Sequence, residues 1–353
     1  MLRNNVHENL QFMSAEPEWD GSSIPIIDIG DYLNGASSAL ATLARQLRAA
    51  LQDVGFYYLR GHGVPSDLIA DLFNASVRFH GQPLDDKMSI KANEHNVGYM
   101  PVNGYVSRSS RISTSNKPNL VEALFVKRDL ASDHPDVLAN KRFRPMNQWP
   151  AELPGFRGTV IAYCDAMEQL CKRMLAVYAV AFELQPNYFA SAFTEPQYTL
   201  RMSHYPPSET GDGDQFGVAA HTDSSFLTML AQSELPGLAI CTPRGDWIDA
   251  PVVEGALLVN SGDMLRRWTN DRFLSTPHRV INRTPGRDRY AIPFFFDASA
   301  DHAMACLPSC CNADDAPRYE PISYTEYMLW FSSQYDHVRA HDTETPPDPG
   351  VPS

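Results

Sequence analysis

The segment "AAHTDSSFLTML" (Ala219–Leu230) places a histidine and an aspartate inside a run that is otherwise typical of a buried strand. His221 and Asp223 are two positions apart, and side chains at that spacing on a strand point to the same face. Both residue types bind metal ions, so the pair predicts two ligands on one rigid platform. The pattern alone is a weak indication, because His134 and Asp136 repeat it in the polar segment "DHPDVL".

The residues on both sides of this segment indicate a region of short strands. Eight segments rich in Val, Ile, Leu, Phe and Thr follow one another from residue 198, separated by Gly, Pro and Asp. They are "YTLRMSHYP", "GVAAHTD", "SFLTMLAQ", "GLAICTP", "DWIDAP", "GALLVNSGD", "STPHRVINR" and "RYAIPFFFD". So many short strands within about a hundred residues predict an antiparallel sandwich or jelly roll.

The chain before residue 198 has a mixed α/β pattern. Strand-like runs alternate there with segments whose leucines and methionines recur at helical spacing. Ser37 and Ser38 are candidate caps for the first of these helices. The predicted elements are, in order, a strand at 24–33, a helix at 40–51, a strand at 55–64, a helix capped by Ser66, and a long helix from about Phe156 to Phe182.

The composition limits the class of protein. The 353 residues carry a formal net charge of -13, and the 29 Lys and Arg residues form no basic run, which argues against a nucleic-acid partner. The sequence shows neither an apolar leader nor a stretch of the roughly 18 apolar residues that a membrane span needs. Six cysteines without a CxxC pair indicate reduced thiols rather than a disulfide framework. We therefore expect a globular cytoplasmic protein without a membrane partner.

A third metal-binding side chain, His278, lies in the strand-like segment "STPHRVINR", 55 positions beyond Asp223. Two imidazoles and one carboxylate on one face of a divalent ion leave three coordination positions open. Non-haem Fe(II) sites have this arrangement and admit both dioxygen and a bidentate ligand. Zinc hydrolases use similar ligands, so the residue types alone leave the metal open between iron and zinc.

A buried cation is predicted near this centre. Arg289 begins the apolar segment "RYAIPFFF", where a guanidinium needs an anion because an unpaired buried charge is costly. That anion is either an acidic side chain of the protein or the carboxylate of a bound ligand. Tyr205, in "MSHYPP", either adds a phenolic donor to the same anion or fills the core, whereas its neighbour His204 points to the opposite face.

Taken together, these segments resemble a known family. "MSHYPP", "HTDSSFLTMLAQ", "GLAI", "NSGDMLRRWTNDRFLSTPHRVIN" and "RYAIPFFF" are similar to the Fe(II)- and 2-oxoglutarate-dependent oxygenases, in the branch that includes isopenicillin N synthase and the plant anthocyanidin and gibberellin oxygenases. "IPIIDIGDYL" and "DVGFYYLRGHGVP" extend the resemblance to roughly residues 23 to 335. It implies a mixed α/β fold whose core is a double-stranded β-helix of the jelly-roll, cupin-like type, with supporting helices and an N-terminal α/β region.

The resemblance, together with the polar and proline-rich ends, also divides the chain. We expect one continuous globular unit, because no linker or repeat interrupts the sequence. Its predicted parts are a flexible N-terminal tail (1–22), an N-terminal α/β dioxygenase region (23–150), the jelly-roll core with its leading helix (151–300), a C-terminal helical region (301–341) and a flexible tail (342–353).

The resemblance further implies roles for the candidate residues. It implies three iron ligands, namely His221, Asp223 and His278, with 2-oxoglutarate and dioxygen as co-substrates. Arg289 and Tyr205 would then bind the far carboxylate of 2-oxoglutarate, and Ser203 occupies a place where plant members often carry an asparagine that also reaches it. The implied reaction hydroxylates, desaturates or cyclises a small molecule while 2-oxoglutarate is decarboxylated to succinate.

One position departs from the family pattern. The family usually has Arg-x-Ser, but Arg289 is followed here by Tyr290 and Ala291, so a hydroxyl that would donate to the far carboxylate is missing. A hydrogen bond to a charged group contributes roughly 1.5 to 3 kcal/mol, so its loss weakens 2-oxoglutarate binding by about ten- to a hundredfold if nothing replaces it. Two alternatives therefore stay open: an oxidative cyclase of the isopenicillin N synthase type that uses no 2-oxoglutarate, and a non-catalytic jelly roll that binds a small acid.

The substrate is the least determined feature. The segment "VSRSSRISTSNKP" (106–118) is polar and rich in serine, and we expect it to cover the pocket. Arg108 and Arg111 would then favour an acidic small molecule, although a solvated surface loop explains the same composition. Neither the identity of the substrate nor the oligomeric state follows from the sequence.

Overall fold

The computed structural model describes residues 23–36, 38–104, 117–207, 215–281 and 286–333. Both predicted tails, and most of the predicted cover 106–118 with Arg108 and Arg111, lie outside the described residues. Within the described ranges, no helix is both long and apolar enough to cross a lipid bilayer. The predicted boundaries at residues 23, 151, 301 and 342 stay predictions.

The helices of the described residues lie mainly in the first half of the chain. Those before residue 140 are α1 (Gly30–Leu33), α2 (Ala39–Asp53), α3 (Ser66–His80), α4 (Leu84–Met88) and α5 (Pro135–Leu138). Those after it are α6 (Phe156–Ala181), α7 (Asp263–Trp268) and α8 (Tyr324–Ser333). The long helix α6 packs against α2 and α3, and its predicted apolar positions are buried. These three helices form one supporting layer.

The strands form two principal sheets. They are β1 (Ile26–Asp28), β2 (Phe56–Arg60), β3 (Gly98–Met100), β4 (Glu122–Lys127), β5 (Pro196–Tyr205), β6 (Val218–His221), β7 (Leu227–Gln232), β8 (Leu238–Cys241), β9 (Trp247–Asp249), β10 (Ala256–Ser261), β11 (His278–Val280), β12 (Arg289–Ser299), β13 (Ala303–Met304) and β14 (Ile322–Ser323). Among the described residues, the main sheet has the order β1-β2-β10-β7-β12-β5-β4-β3 and the minor sheet the order β6-β11-β8-β9. All eight strands predicted from residue 198 onward are present, which confirms that prediction.

The two faces of the main sheet pack against different partners, as the period of two along each strand requires. On β12, Ile292 and Phe294 point to the helical layer and join its core. Ala291 points the other way and packs in a second core together with Val218 and Ile240 of the minor sheet. The space between the two sheets is therefore where a ligand cavity can form.

Two local predictions need correction. The strand predicted at 24–33 is confined to β1, because the Asp28 side chain accepts a hydrogen bond from Gly30 N at 2.9 Å and turns the chain into α1. Ser66 is the first residue of α3 rather than its cap, and Pro65 stands at the cap position with the extended backbone typical of a proline before a helix. Neither change moves the strands around the cavity.

Candidate active site

Three side chains converge at one end of the minor sheet. His221, the last residue of β6, lies opposite His278, the first residue of β11. Asp223 Oδ1 is 3.8 Å from His221 Nε2 and 3.6 Å from His278 Nε2. In the described part of the chain, this is the one group of three His, Cys, Asp or Glu residues whose ligand atoms lie within 4.8 Å of one another. The prediction that His221 and Asp223 share a strand is wrong, since β6 ends at His221 and Asp223 follows in the connection to β7.

Both histidines are held by the backbone in the orientation that metal binding requires. His221 Nδ1 lies 2.9 Å from the carbonyl oxygen of Ala219, and His278 Nδ1 lies 3.1 Å from that of Thr276. A carbonyl oxygen only accepts, so each Nδ1 carries the proton and donates it. In the neutral form of each ring, Nε2 is then the nitrogen with the free lone pair, and it faces Asp223 Oδ1.

Asp223 is fixed in a similar way. Its Oδ2 accepts hydrogen bonds from Thr228 Oγ1 and Asn260 Nδ2, both at 2.7 Å. Ser225 Oγ lies 2.8 Å from Thr228 Oγ1 and donates to it, because the Thr228 proton is used on Asp223. Oδ1 is left as the oxygen that faces the two histidines. Carboxylates that bind metals are commonly oriented by hydrogen bonds of this kind.

The buried setting also determines the charges at this centre. Burial, together with the neighbouring His278, lowers the pKa of His221 and keeps its imidazole neutral. Burial alone would raise the pKa of Asp223, but the two histidines and the two hydrogen bonds to its carboxylate outweigh burial and lower that pKa. A neutral imidazole and an ionised carboxylate are the forms that bind a divalent ion.

A cavity of about 520 Å³ opens beside the three side chains, between the two sheets. Residues from eight strands and from the connection after β6 contribute to its wall. They are Phe56, Arg201, Ser203, Tyr205, Val218, His221, Asp223, Thr228, Leu230, Leu238, Asn260, His278, Val280, Arg289, Ala291, Pro293 and Phe295. All six residues singled out from the sequence as metal or co-substrate ligands therefore line one cavity.

Arg289 is a buried cation in this wall. Its side chain is among the largest that are fully buried, and the residue is 1% exposed. Its Nε donates to the carbonyl oxygen of Leu235 at 3.3 Å, and its guanidinium lies 4.9 Å from the centre of the Tyr205 ring. Nη1 has no hydrogen-bond partner, and no acidic side chain of the described residues forms an ion pair with it. Burial lowers the pKa of Arg289, but a guanidinium stays protonated in proteins.

Two glycines that the sequence reasoning did not single out make room for these side chains. A Cβ at Gly237 would lie 3.2 Å from Arg289 Nε and 2.5 Å from the carbonyl oxygen of Ile281, and Gly237 has φ +148°. A Cβ at Gly217 would lie 2.8 Å from the Tyr205 ring. Both Arg289 and Tyr205 therefore depend on close approach of a backbone without a side chain.

Ser203 and Ala291 complete a small patch at this end of the cavity. In the antiparallel register of β5 and β12, Arg289 lies opposite Tyr205, and Ala291 lies opposite Ser203. Ser203 is completely buried, and its Oγ has no hydrogen-bond partner among the described residues. We call these four residues, Ser203, Tyr205, Arg289 and Ala291, the β5–β12 patch.

Farther along the same two strands, Arg201 and Phe295 line another part of the cavity. Both are partly exposed, and the Arg201 guanidinium lies 5.5 Å from the centre of the Phe125 ring. The sequence reasoning missed Arg201, although it stands at the same period-two spacing as Ser203 and Tyr205 on β5. It also missed Thr228 and Asn260. Each is a polar residue inside an apolar strand, a pattern that indicates a buried hydrogen-bond partner.

The repeated His-x-Asp pattern has a structural role instead. His134 stands at the cap of α5, and its Nδ1 accepts a hydrogen bond from Asp136 N at 3.2 Å. Asp136 forms an ion pair with Arg144 at 2.7 Å. Neither side chain lines the cavity.

Two family models match the chain. Residues 24–152 match the N-terminal family described as non-haem dioxygenase in morphine synthesis. Residues 196–298, which contain the three converging side chains and the β5–β12 patch, match the 2OG-Fe(II) oxygenase superfamily.

Proteins with similar sequences and structures extend over most of the chain. A 2-oxoglutarate-Fe(II) type oxidoreductase of Emericella nidulans (hxnY) is 35% identical over 329 residues, which is 91% of this chain and 93% of that protein. A 2-oxoglutarate-dependent dioxygenase of Monascus ruber (citB) is 34% identical over 318 residues, 87% of this chain and 93% of that one. The crystal structure of Neurospora crassa T7H in complex with alpha-KG and thymine has a TM-score of 0.77 at 27% identity, covering 92% of this chain and 98% of that one. These similarities confirm the predicted jelly-roll core.

Proposed function

The chain belongs to the 2OG-Fe(II) oxygenase superfamily, and from this premise we propose that His221, Asp223 and His278 are its iron ligands. It is a non-haem Fe(II)- and 2-oxoglutarate-dependent dioxygenase, which oxidises a small molecule while 2-oxoglutarate is converted to succinate. The alternatives of a cyclase without 2-oxoglutarate and of a non-catalytic acid binder are not favoured by these relatives.

The donor set fits ferrous iron. Two imidazole nitrogens and one carboxylate oxygen come together within 4.8 Å of one another in the wall of the cavity. Such a facial arrangement leaves positions for a bidentate co-substrate and for dioxygen. The hydrogen bonds from Thr228 and Asn260 occupy Oδ2 of Asp223, so Oδ1 is the oxygen that would bind the iron.

The observation that carries the proposal is the buried guanidinium of Arg289, which faces the same cavity and has no acidic partner among the described residues. A buried cation without an anion is costly, so a ligand carboxylate is the natural partner. We assign Arg289, Tyr205 and Ser203 to the far carboxylate of 2-oxoglutarate, with Arg289 supplying the charge and Tyr205 a phenolic donor.

In this assignment the protein supplies position and a dry environment. Bound iron supplies activation of dioxygen, coupled to oxidative decarboxylation of 2-oxoglutarate and oxidation of a bond in the substrate. The register of β5 and β12 holds Arg289 beside Tyr205, the register of β6 and β11 holds His221 beside His278, and both pairs line one cavity, where they would orient a bound co-substrate. Val218, Leu238 and Val280 are buried apolar residues of the wall and limit the access of water.

For the substrate, we propose a small molecule that carries an acidic group. Arg201 is a cationic side chain in the cavity wall, two residues from Ser203 on the same face of β5. The partly exposed ring of Phe295 lines the same cavity from β12 and offers an apolar surface. A guanidinium beside an aromatic ring suits a compact acid with an apolar body.

The ligand assignment can be tested on the purified chain. We expect Asp223→Ala to lose stoichiometric Fe(II) binding and to form no succinate above background. His134→Ala is the matched control, because His134 stands in the other His-x-Asp pattern and caps α5 outside the cavity. Retention of stoichiometric iron by Asp223→Ala would overturn the assignment.

The substrate class is tested separately. A panel of small carboxylic acids and their amides is screened for stimulation of succinate formation, and Arg201→Gln is then compared with the wild-type chain. We expect acids to stimulate more than amides, and Arg201→Gln to raise KM for the acid about tenfold or more. The Kd for 2-oxoglutarate should stay within about threefold. Equal stimulation by acids and amides would exclude an acidic substrate.

A further inference from the structure

The segment "CLPSCC" (Cys306–Cys311) carries three of the six cysteines of the chain, and none of the three lines the cavity. All six cysteines are free. Cys164 and Cys171 are buried in α6, whereas Cys306 and Cys311 are partly exposed. A thiol that reacts with a molecule in solution must be accessible, so Cys306 and Cys311 are the candidates for such a reaction in this segment.

A β-turn brings these two cysteines together. Pro308 suits the second position of such a turn, and Cys310 N donates to the carbonyl oxygen of Leu307 at 2.8 Å. The sulfur atoms of Cys306 and Cys311 lie 3.6 Å and 3.5 Å from that same oxygen. The two thiols are also in hydrogen-bond contact with each other. The cysteines on either side of the turn therefore form a contacting pair.

The turn is anchored to the rest of the protein. The side chain of Leu307 is completely buried, and Leu307 N donates to the carbonyl oxygen of Trp268 at 2.8 Å. Arg272 Nη1 donates to the carbonyl oxygen of Ser309 at 2.6 Å. The contact between the two thiols is consequently set by the fold and not by random encounters within a loose loop.

A cation and an exposed aromatic ring border the pair. Burial and the contact with Cys311 raise the pKa of the Cys306 thiol, and Arg272 opposes that rise. Arg272 is 35% exposed and only loosely paired, with Asp315 at 3.8 Å, so its guanidinium can also attract an anion from solution. Tyr188 is 41% exposed, and burial together with the three neighbouring cysteines raises its pKa. These surroundings suit an oxidant that carries negative charge.

We propose that Cys306 and Cys311 form a reversible thiol–disulfide site that reacts with a small-molecule disulfide bearing carboxylates, such as oxidised glutathione. Cys311, as its thiolate, attacks one sulfur of that disulfide, and one glutathione leaves as its thiolate. Cys306 then gives up its proton and attacks Cys311 Sγ, and the second glutathione leaves. The two protein thiols lose two electrons and two protons, which reduce the oxidant to two molecules of glutathione. This site goes beyond the proposed function and does not depend on the iron centre.

The test follows the reaction of the reduced full chain with oxidised glutathione, without dioxygen. We expect two of the six thiols to be lost, the mass to fall by two hydrogens, and one peptide in which Cys306 is joined to Cys311. Cys306→Ser should instead accumulate one glutathione on Cys311. Cys311→Ser should lose thiols about tenfold or more slowly, because the attacking thiolate is missing. Cys241→Ser removes the other partly exposed thiol and is the matched control, which should react as wild type does.

The following results would overturn the proposal. One is a wild-type chain that keeps all six thiols while a free peptide of the sequence "CLPSCC" is oxidised, because the fold would then protect the thiols. Another is a disulfide that includes Cys310, or its loss in Cys310→Ser. Asp223→Ala should be oxidised as wild type is, so a failure of the proposed iron site leaves this result unchanged. Thermal unfolding of each reduced variant confirms that folded chains are compared.

Discussion

The two faces of the β5–β12 strand pair differ in whether their buried charged groups have partners within the protein. On the cavity face, Tyr205 lies opposite Arg289, whose Nη1 has no hydrogen-bond partner among the described residues. On the helical face, the adjacent residues His204 and Tyr290 lie opposite each other and stack with ring centres 4.8 Å apart. The same two strands therefore present a cation without an acidic partner on one side and a paired ionic cluster on the other.

The cluster on the helical face is centred on Glu122 of β4. Glu122 accepts hydrogen bonds from Lys87 Nζ at 2.8 Å, from His204 Nδ1 at 2.6 Å and from the Tyr99 hydroxyl. His204 Nε2 lies 2.6 Å from Asp288 Oδ1, so the imidazole connects two carboxylates. Burial would raise the pKa of Glu122, but these partners outweigh burial and lower it to about 2.

A buried charge can have its partner within the protein or in a bound ligand, and the two faces show one case each. Glu122 has its partners within the protein, so its charge belongs to the folded structure. Arg289, the neighbour of Tyr290 on β12, lacks an acidic partner among the described residues, and we propose that a ligand supplies its counter-ion. The two faces should consequently respond to substitution with opposite signatures, one in stability and one in binding.

The largest effect is expected at Arg289. Replacing it with methionine removes a buried unpaired charge, so the free energy of unfolding should stay the same or rise. The Kd for 2-oxoglutarate, measured by calorimetry with Mn(II), should rise about a hundredfold or more because two charge-assisted hydrogen bonds are lost. The matched control is Arg144→Met, which removes a buried arginine paired with Asp136 and Glu195. Arg144→Met should lower the free energy of unfolding and leave the Kd for 2-oxoglutarate unchanged. The reverse pattern in the two variants would contradict the difference between the two faces.

Glu122→Gln should show the opposite signature. It leaves the buried Lys87 and His204 without their shared carboxylate, and removing one partner of a buried pair costs about 3 kcal/mol in the free energy of unfolding. The Kd for 2-oxoglutarate should change by no more than about threefold. Denaturant unfolding at neutral pH measures the first quantity. Asp288→Asn is the control, since this side chain is 49% exposed and its loss should cost less than about 0.5 kcal/mol. Equal losses in both variants would contradict a buried cluster.

Asp297 on β12 is a buried acid that, unlike Glu122, forms no ion pair among the described residues. Its Oδ1 accepts a hydrogen bond from Phe226 N at 2.7 Å, and burial raises its pKa to about 7. An unfolded aspartate titrates near about 3.9, so the folded chain binds more protons between the two values. The free energy of unfolding should therefore fall by about 2 kcal/mol as pH rises from about 5 to 7.

Asp297→Asn should remove most of this pH dependence, because the amide keeps a carbonyl oxygen for Phe226 N and does not ionise. Denaturant unfolding at several pH values compares the variant with wild type. Glu122 contributes the opposite sign, with stability lost only as pH falls from about 4.3 toward 2. A wild-type chain equally stable at pH 5 and 7, or an unchanged slope in the variant, would contradict the assignment to Asp297.

The smallest effect is expected at Gly237. An added Cβ meets the Ile281 carbonyl oxygen at 2.5 Å and Arg289 Nε at 3.2 Å, and the backbone angle of +148° disfavours any side chain. Gly237→Ala should displace Arg289 slightly, raising the Kd for 2-oxoglutarate about fivefold and lowering stability by about 1 kcal/mol. Gly245→Ala is the control, because it also has positive φ but nothing lies within 4 Å of its Cβ position. A normal Kd in Gly237→Ala would mean that Arg289 does not depend on this contact.

Much of this arrangement could be predicted from local patterns. The strands followed from apolar runs between Gly, Pro and Asp, and the candidates His221, Asp223, His278 and Arg289 followed from polar residues inside those runs. What the patterns could not provide was register. The pairing of Ser203 with Ala291, and of Glu122 with His204, joins residues 82 or more positions apart. Such pairings depend on how strands from distant segments align, which no local spacing encodes.

The central claim is that the three ligands and Arg289 serve one cavity and one co-substrate. Anaerobic titration of 2-oxoglutarate into the Fe(II)-loaded chain tests it most directly, followed by the visible charge-transfer band of the chelate. We predict a saturable band in wild type, none in Asp223→Ala, and a midpoint at least about a hundredfold higher in Arg289→Met. A band in Asp223→Ala, or the same midpoint in Arg289→Met as in wild type, would contradict it.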